Sequence, residues 1–487
     1  MSVIKEFSRD TFIYGLGSSL KKFIGLFLLP FYTRALTPAD FGILETLGTA
    51  IFFLTAFFNL GLDQGAGRYF FMARSAEEKG QVLFNLLVFR SILVLPSLGF
   101  IFFSREISMA LFKTDQYAAV VLLSCLLFPL TVLNSDQDNI YRYFREPWKF
   151  NLITIARIIS GIGLGVSLVI VWKKGVFGAQ LASLLSSLVI FLLSFFLFTR
   201  KKHTYRFSWY WARRMLKYSF PLVWAGIASW IFYSSNRFFI LHFRDATDVG
   251  LYSIANIMSQ PLTLLNGAIK MSYPPLILGI YEAETSRDKP KTKNFSTQIW
   301  YFYLITAISL GVFLSVFSVD LLKLITTPAY VMGALAMPFV IFSSLATQSV
   351  EIVSVGMSFK ERSGIFAVLF TISALINIGM NFLLVPRYGF VGAAMATLVS
   401  SLAYFLLTYI VSQKLFFVQR KEMRLGFYVL AALAVSTIIP YLQLRWHVSL
   451  GFWLKAAVVV LSCSLPFLAG FVKINDLKRF WKELTTS

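Results

Sequence analysis

The feature that most constrains this chain is that it says the same thing twice. Residues 175–193 read GVFGAQLASLLSSLVIFLL and residues 389–407 read GFVGAAMATLVSSLAYFLL. Gly175, Gly178, Ala179, Ala182, Leu184, Ser186, Ser187, Leu188 and Phe191 recur 214 positions later as Gly389, Gly392, Ala393, Ala396, Leu398, Ser400, Ser401, Leu402 and Phe405. A fainter echo links Asp40-Phe41-Gly42-Ile43-Leu44 to Asp248-Val249-Gly250-Leu251-Tyr252, 208 positions on. Two echoes at nearly one offset predict a duplicated block of several helices, with short insertions between the copies.

Composition fixes the solvent of that block. Hydrophobic residues make up 57% of the chain and charged residues 14%, against about 25% charged in soluble domains. There is too little polar surface to cover a globule, so the surface must face lipid. The opening MSVIKEFSRDTFIYG lacks a small-residue cleavage site, and the apolar run after it is too long for a signal peptide, so it reads as a retained first span.

Runs of about twenty apolar residues, the length a bilayer requires, predict about fourteen spans. They lie near 11–33, 42–63, 81–103, 117–139, 150–172, 176–199, 219–243, 250–280, 297–319, 331–357, 363–385, 390–413, 426–445 and 451–473. They are too long, and too little alternating, for barrel strands. With the N-terminus in the cytoplasm, 29 of the 45 Lys and Arg residues fall in cytoplasmic segments and 9 in the opposite loops. The bias places both termini inside. The net charge of +22 then belongs to loops beside anionic lipid. Cations dispersed in this way exclude nucleic acid as a partner.

The expected architecture is an all-α polytopic membrane protein of two parallel six-helix repeats plus two extra C-terminal helices. The N-lobe covers 1–199, a basic cytoplasmic linker 200–218, the C-lobe 219–415, and the last two spans and tail 416–487. An even span count per repeat inserts both copies in the same direction. Transporters built this way bind substrate between their halves.

Catalytic and metal chemistry is nearly absent. Cys125 and Cys463 fall inside spans and read as apolar packers. His203, His242 and His447 are isolated, and no zinc spacing, nucleotide loop or nucleophile elbow is present. Neither cofactor nor metal is expected, and no enzymatic activity. Gly161-Ile162-Gly163-Leu164-Gly165 lies mid-span and reads as a helix-packing surface.

What remains is polarity inside the spans, where ionisable groups are costly and mark function. Lys21 and Lys22 sit halfway along span one. Span eight carries Asn256, Gln260, Thr263, Asn266 and Lys270 at steps of three or four, one helical face. Pro261 predicts a kink in it. Span ten repeats the idea with Ser344, Gln348, Glu351 and Ser354. Arg237 lies on span seven. Arg90 and Arg157 are further lumen cations, or structural partners of Asp136 and Asp138. Asp63 and Glu351 are the candidates for ion coupling.

Several short motifs carry a family resemblance. Leu29-Pro30-Phe31-Tyr32-Thr33-Arg34 and Thr37-Pro38-Ala39-Asp40-Phe41-Gly42 resemble the end of span one in the polysaccharide-transporter (Wzx-type O-antigen flippase) branch of the multidrug/oligosaccharidyl-lipid/polysaccharide exporter (MOP) superfamily. Asp248-Val249-Gly250-Leu251-Tyr252 resembles the start of its second lobe. Pro386-Arg387-Tyr388-Gly389-Phe390-Val391-Gly392-Ala393-Ala394 resembles its span-eleven to span-twelve turn.

The resemblance implies a plasma-membrane flippase for undecaprenyl-(pyro)phosphate-linked oligosaccharides, working by alternating access in O-antigen, capsule or exopolysaccharide synthesis. A polysaccharide polymerase and a chain-length regulator are its implied protein partners. Lys21, Lys22, Arg237 and Lys270 would then neutralise pyrophosphate. Asn256, Gln260, Asn266 and Gln348 would bond sugar hydroxyls. A lipid II flippase is the near alternative. A drug or cation antiporter of the same superfamily is the distant one, and the cations on span one weigh against it.

Overall fold

The computed structural model describes residues 26–199, 206–286, 288–360, 363–419, 422–448 and 450–468. Among them there is no strand. In lipid no water satisfies backbone N–H and C=O groups, so a spanning segment must bond within itself. Nine helices among the described residues are long and apolar enough to cross a bilayer. This is a multi-pass membrane protein. The large side chains left exposed along these helices, such as Ile159, Phe196 and Leu375, form a lipid-facing surface. Lys21 and Lys22 lie outside the described residues.

The residues fall into two compact units that divide at Gly250 and Leu251. The first holds a helix at 26–35 (α1), then α2 (Pro38–Asn59), α3 (Leu62–Met72), α4 (Ala76–Val94), α5 (Ser104–Phe112), α6 (Ala118–Tyr143), α7 (Pro147–Val166), α8 (Gly175–Thr199), α9 (Trp209–Ser234) and α10 (Asn236–Phe243). The division lies inside α11 (Ala246–Met258). The second unit continues with α12 (Gln260–Ala283), α13 (Pro290–Val316), α14 (Ser318–Ile325), α15 (Met337–Val353), α16 (Val355–Phe359), α17 (Ser363–Leu415), α18 (Glu422–Arg445) and α19 (Phe452–Leu468).

α17 supplies two of the fourteen expected spans. Its backbone leaves helical geometry at Gly389 (φ 57°, ψ −135°). The amide of Asn377 reaches Ser400 Oγ at 3.1 Å. In one straight helix these residues would stand about 35 Å apart, so the chain reverses. Gly175, the repeat mate of Gly389, is also left-handed at φ +55°. A Cβ at Gly178 would meet Leu168 O at 2.9 Å, and one at Gly392 would meet Leu384 O at 2.3 Å. The strongest echo in the sequence is therefore a span-to-span reversal, built from a left-handed glycine and a second glycine against a carbonyl.

The fainter echo is a point of contact. A Cβ at Gly42 would lie 1.8 Å from Ala246 O, and one at Gly250 would lie 2.0 Å from Pro38 O. The N-terminal turns of α2 and α11 thus meet backbone to backbone, which only small residues permit. Thr37 and Asp40, part of the family-like motif, form the capping box of α2. Asp40 N donates to Thr37 Oγ1 at 3.2 Å and Thr37 N to Asp40 Oδ2 at 3.0 Å.

The first unit extends past the lobe boundary that the repeat suggests at 219. α9 and α10 are tied to it by side-chain bonds. Buried Asn85 exchanges two bonds with the backbone of Ser208, at 2.8 and 3.1 Å. Trp230 Nε1 donates to Thr49 O at 3.1 Å. In the second unit, the α12–α13 connection is locked by Glu284. Its carboxylate accepts from the N–H groups of Lys291 and Thr292 and from the Thr292 hydroxyl, at 2.8, 3.0 and 2.7 Å. Desolvation pushes this carboxyl up, but those bonds and the Lys289 charge outweigh it and hold it below the usual carboxylate range.

Candidate functional site

In span eight the chain breaks where Pro261 predicts. α11 ends at Met258 and α12 starts at Gln260. Around the break the polar side chains serve the backbone. Asn256 Nδ2 donates to Tyr252 O at 3.2 Å, Ser259 Oγ to Asn256 O at 2.7 Å, and Thr263 Oγ1 to Gln260 O at 2.8 Å. Ser and Asn side chains commonly satisfy groups freed at such a break. Asn256 and Gln260 thus sit at a helix discontinuity, a place where transporters build sites.

One turn further on, α12 pairs with α15 rung by rung. Asn266 Nδ2 donates to Gln348 Oε1. Lys270 Nζ meets Glu351 Oε1 at 2.7 Å. Two residues of each predicted stripe therefore face each other. Asn266 is buried, and among the described residues its Oδ1 has no hydrogen-bond partner. The Lys270 side chain is 63% exposed and that of Glu351 34%, so the pair is open on one side. Below these rungs lies a cleft of about 300 Å³. Tyr273, Ile277, Glu351, Ser354, Phe366 and Tyr404 are among its lining residues.

In the first unit the cations have different surroundings. Arg90 is 1% exposed. Its Nε and Nη2 hold Asp136 at 2.6 and 2.9 Å, Nη1 donates to Phe58 O and Asn59 O, both at 3.2 Å, and Nη2 also reaches Asn59 Oδ1. All five guanidinium donors are engaged. The geometry is that of a bolt that closes the C-terminus of α2, just before the left-handed pair Leu60 and Gly61. Arg157 pairs with Asp138 at 3.0 and 3.2 Å. Arg237 Nη2 reaches Glu45 Oε2 at 2.9 Å, which ties α10 to α2. Asp63, in the first turn of α3, accepts from Gln64 N at 2.9 Å, and its carbonyl accepts from the Tyr143 hydroxyl.

Sequence reasoning passed over Glu45 and the pair Lys455–Asp320. Both acids lie in helices that also carry apolar residues, and each partner is more than a hundred positions away. Periodicity carries no signal for such pairs. Among the described residues, no group of three or more His, Cys, Asp or Glu side chains could hold a metal.

The fold defines the class, a multi-pass helical membrane protein with an internal duplication. The profile described as "Polysaccharide biosynthesis protein" matches residues 7–280, more than half the chain. The chain belongs to that family. Among curated proteins it is 25% identical over 283 residues to Lsg locus protein 1 of Haemophilus influenzae. That match spans 54% of this chain and 64% of the relative's length. Among solved structures, the lipid II flippase MurJ, inward closed, has a TM-score of 0.70 and 16% identity, covering 96% of this chain and 99% of that one. An inward-facing MATE transporter of the MOP superfamily has a TM-score of 0.63 and 14% identity, covering 81% and 94%. Identities this low establish a shared fold.

Proposed function

We propose that this protein flips polyprenyl-(pyro)phosphate-linked oligosaccharide repeat units from the cytoplasmic to the outer leaflet by alternating access, for surface polysaccharide synthesis. The observation that carries the reading is the ladder Asn266–Gln348 and Lys270–Glu351. It joins neutral amides, which suit sugar hydroxyls, to one exchangeable cation, which suits a phosphate. Lys21, Lys22 and Arg237 contribute cations, and Asn256 and Gln260 contribute polar groups at the helix break. Glu351 and Asp63 are the candidates for ion coupling. No chemical step on the sugar is needed, so the protein acts as a transporter and not as an enzyme. A polymerase and a chain-length regulator would consume its product.

The fold shared with MurJ favours lipid II as the second reading. A deletion strain separates the two. The first reading expects an undecaprenyl-linked oligosaccharide to build up on the cytoplasmic leaflet, with surface polysaccharide lost and dye sensitivity unchanged. Accumulated lipid II would select the second reading. Increased sensitivity to cationic dyes with normal glycan would overturn both. Lys270→Ala should reproduce the defect at least in part, and Lys22→Ala should abolish export without loss of the folded protein. The proposed location is the plasma membrane, with both termini cytoplasmic. In intact cells a cysteine at Ser208 should stay unlabelled and one at Thr247 should label. The reverse pattern inverts the orientation.

A further inference from the structure

The duplication reaches a place where its two copies are treated differently. Phe103-Ser104-Arg105-Glu106 recurs as Phe317-Ser318-Val319-Asp320, and 317 − 103 gives the same offset, 214. Each copy opens a short helix after the third span of its repeat, α5 in the first unit and α14 in the second. In the second unit this region is covered by α19. The rings of Phe317 and Phe452 stand 5.6 Å apart. Lys455 Nζ pairs with Asp320 and lies 5.7 Å from the Phe317 ring centroid. Lys455 is only 2% exposed, and Val316 and Phe317 are 0% and 9% exposed.

Among the described residues the first unit has no such cover. Phe102 and Phe103, the mates of Val316 and Phe317, are 86% and 59% exposed. Glu106, the mate of Asp320, is exposed and makes no ion pair among the described residues. Its neighbour Arg105 is held by Asp115 at 2.9 Å. The whole segment differs. In the apolar stretch of 76–112, 22% of the residues are buried, and in that of 290–316, 56%.

Apolar exposure alone would indicate only lipid, since acyl chains are as apolar as leucine. The carboxylate beside the rings is the distinguishing feature. The chain itself shows what covers such a face, a helix bringing an aromatic ring and, three positions on, a cation. We propose that Phe102, Phe103 and Glu106 form a docking face for a transmembrane helix of a partner protein, one that carries an aromatic residue followed three positions later by lysine or arginine. The cation would pair with Glu106 and could also lie over the Phe103 ring.

The test uses the full chain in phosphatidylcholine nanodiscs and a fluorescent peptide of residues 450–468, which bears the Phe452 and Lys455 pair. The peptide should bind, and Glu106→Lys should weaken binding by about tenfold or more. A Lys455→Glu peptide should bind the wild type poorly and the Glu106→Lys protein well. Phe103→Ala should weaken both combinations. Glu106 is exposed, so its variants should unfold at the wild-type temperature. Binding that ignores both charges, or no binding, overturns the proposal and leaves the face to lipid. In a protein with Phe103→Cys, Cys125→Ser and Cys463→Ser, disulfide-linked homodimers would overturn it in favour of self-association.

Discussion

Two ion pairs inside this protein look alike on paper and are built for opposite ends. Arg90–Asp136 and Lys270–Glu351 each join a cation and an acid from different spans, at 2.6 and 2.7 Å. The first has side chains 2% and 3% exposed, and its cation is saturated by two helix-end carbonyls and an asparagine besides the acid. The second has side chains 63% and 34% exposed, and lies beside a cleft. Burial makes the first pair a fixed part of the fold, because parting it would strand a charge out of water. Exposure leaves the second pair open, and the proposed anion site would require a pair that can part. An intramembrane charge is thus not by itself a binding residue, and the number of its donors already engaged is a better guide.

The comparison can be broken most directly at Arg90. Arg90→Ala should cost about 3–5 kcal/mol of stability by leaving Asp136 buried and unpaired, read as a lowered unfolding temperature in detergent. The double change Arg90→Met, Asp136→Leu should recover much of that loss, since an apolar pair of similar volume removes the stranded charge. An unchanged unfolding temperature for Arg90→Ala would refute the structural role.

Arg157–Asp138 sharpens the scale, because its side chains are 24% and 12% exposed. Asp138→Asn should fall between the extremes, at about 1–3 kcal/mol for a hydrogen-bonded charge. A loss as large as that at Arg90 would break the ordering by burial.

At the open end, Lys270→Ala and Glu351→Gln should each change stability by about 1 kcal/mol or less while altering export. The two should also differ in substrate binding. Losing the cation weakens it, whereas losing the competing carboxylate tightens it, measurable with a fluorescent polyprenyl pyrophosphate. Equal weakening by both would mean that Glu351 does not compete with the ligand.

The smallest effect belongs to Glu284. Its carboxyl is held below the usual carboxylate range, so the stabilisation is present above the ordinary carboxylate pKa and is lost as pH falls through the lower, folded value. The Lys291 and Thr292 amides, referred to the intrinsic exchange rate at each pH, should be strongly protected at neutral pH and lose protection in acid. In Glu284→Gln the protection should be lower at neutral pH and should change little in acid.

Much of this molecule could be read before any coordinate was known. The excess of apolar residues dictated helices in lipid, and the echo at 214 dictated two copies. Pro261 announced the break between α11 and α12, since its ring removes a donor and crowds the preceding turn. The polar steps 256–270 and 344–354 placed each stripe on one face, because helical geometry is local and its period shows in the residues themselves. What covers a face is not local. The meeting of Asn266 with Gln348 and of Lys270 with Glu351 depends on how α12 lies against α15. The saturation of Arg90 needs α2, α4 and α6 to converge. Arg237 finds Glu45 across 192 residues, and Lys455 finds Asp320 across 135. The contact of Gly42 with the turn before Gly250 was hidden in an echo that gave the likeness without the touch. The sequence determined which residues could not face lipid unaccompanied. Only the tertiary structure decided their company, because desolvation requires a partner for a buried charge and leaves the choice of partner to the packing.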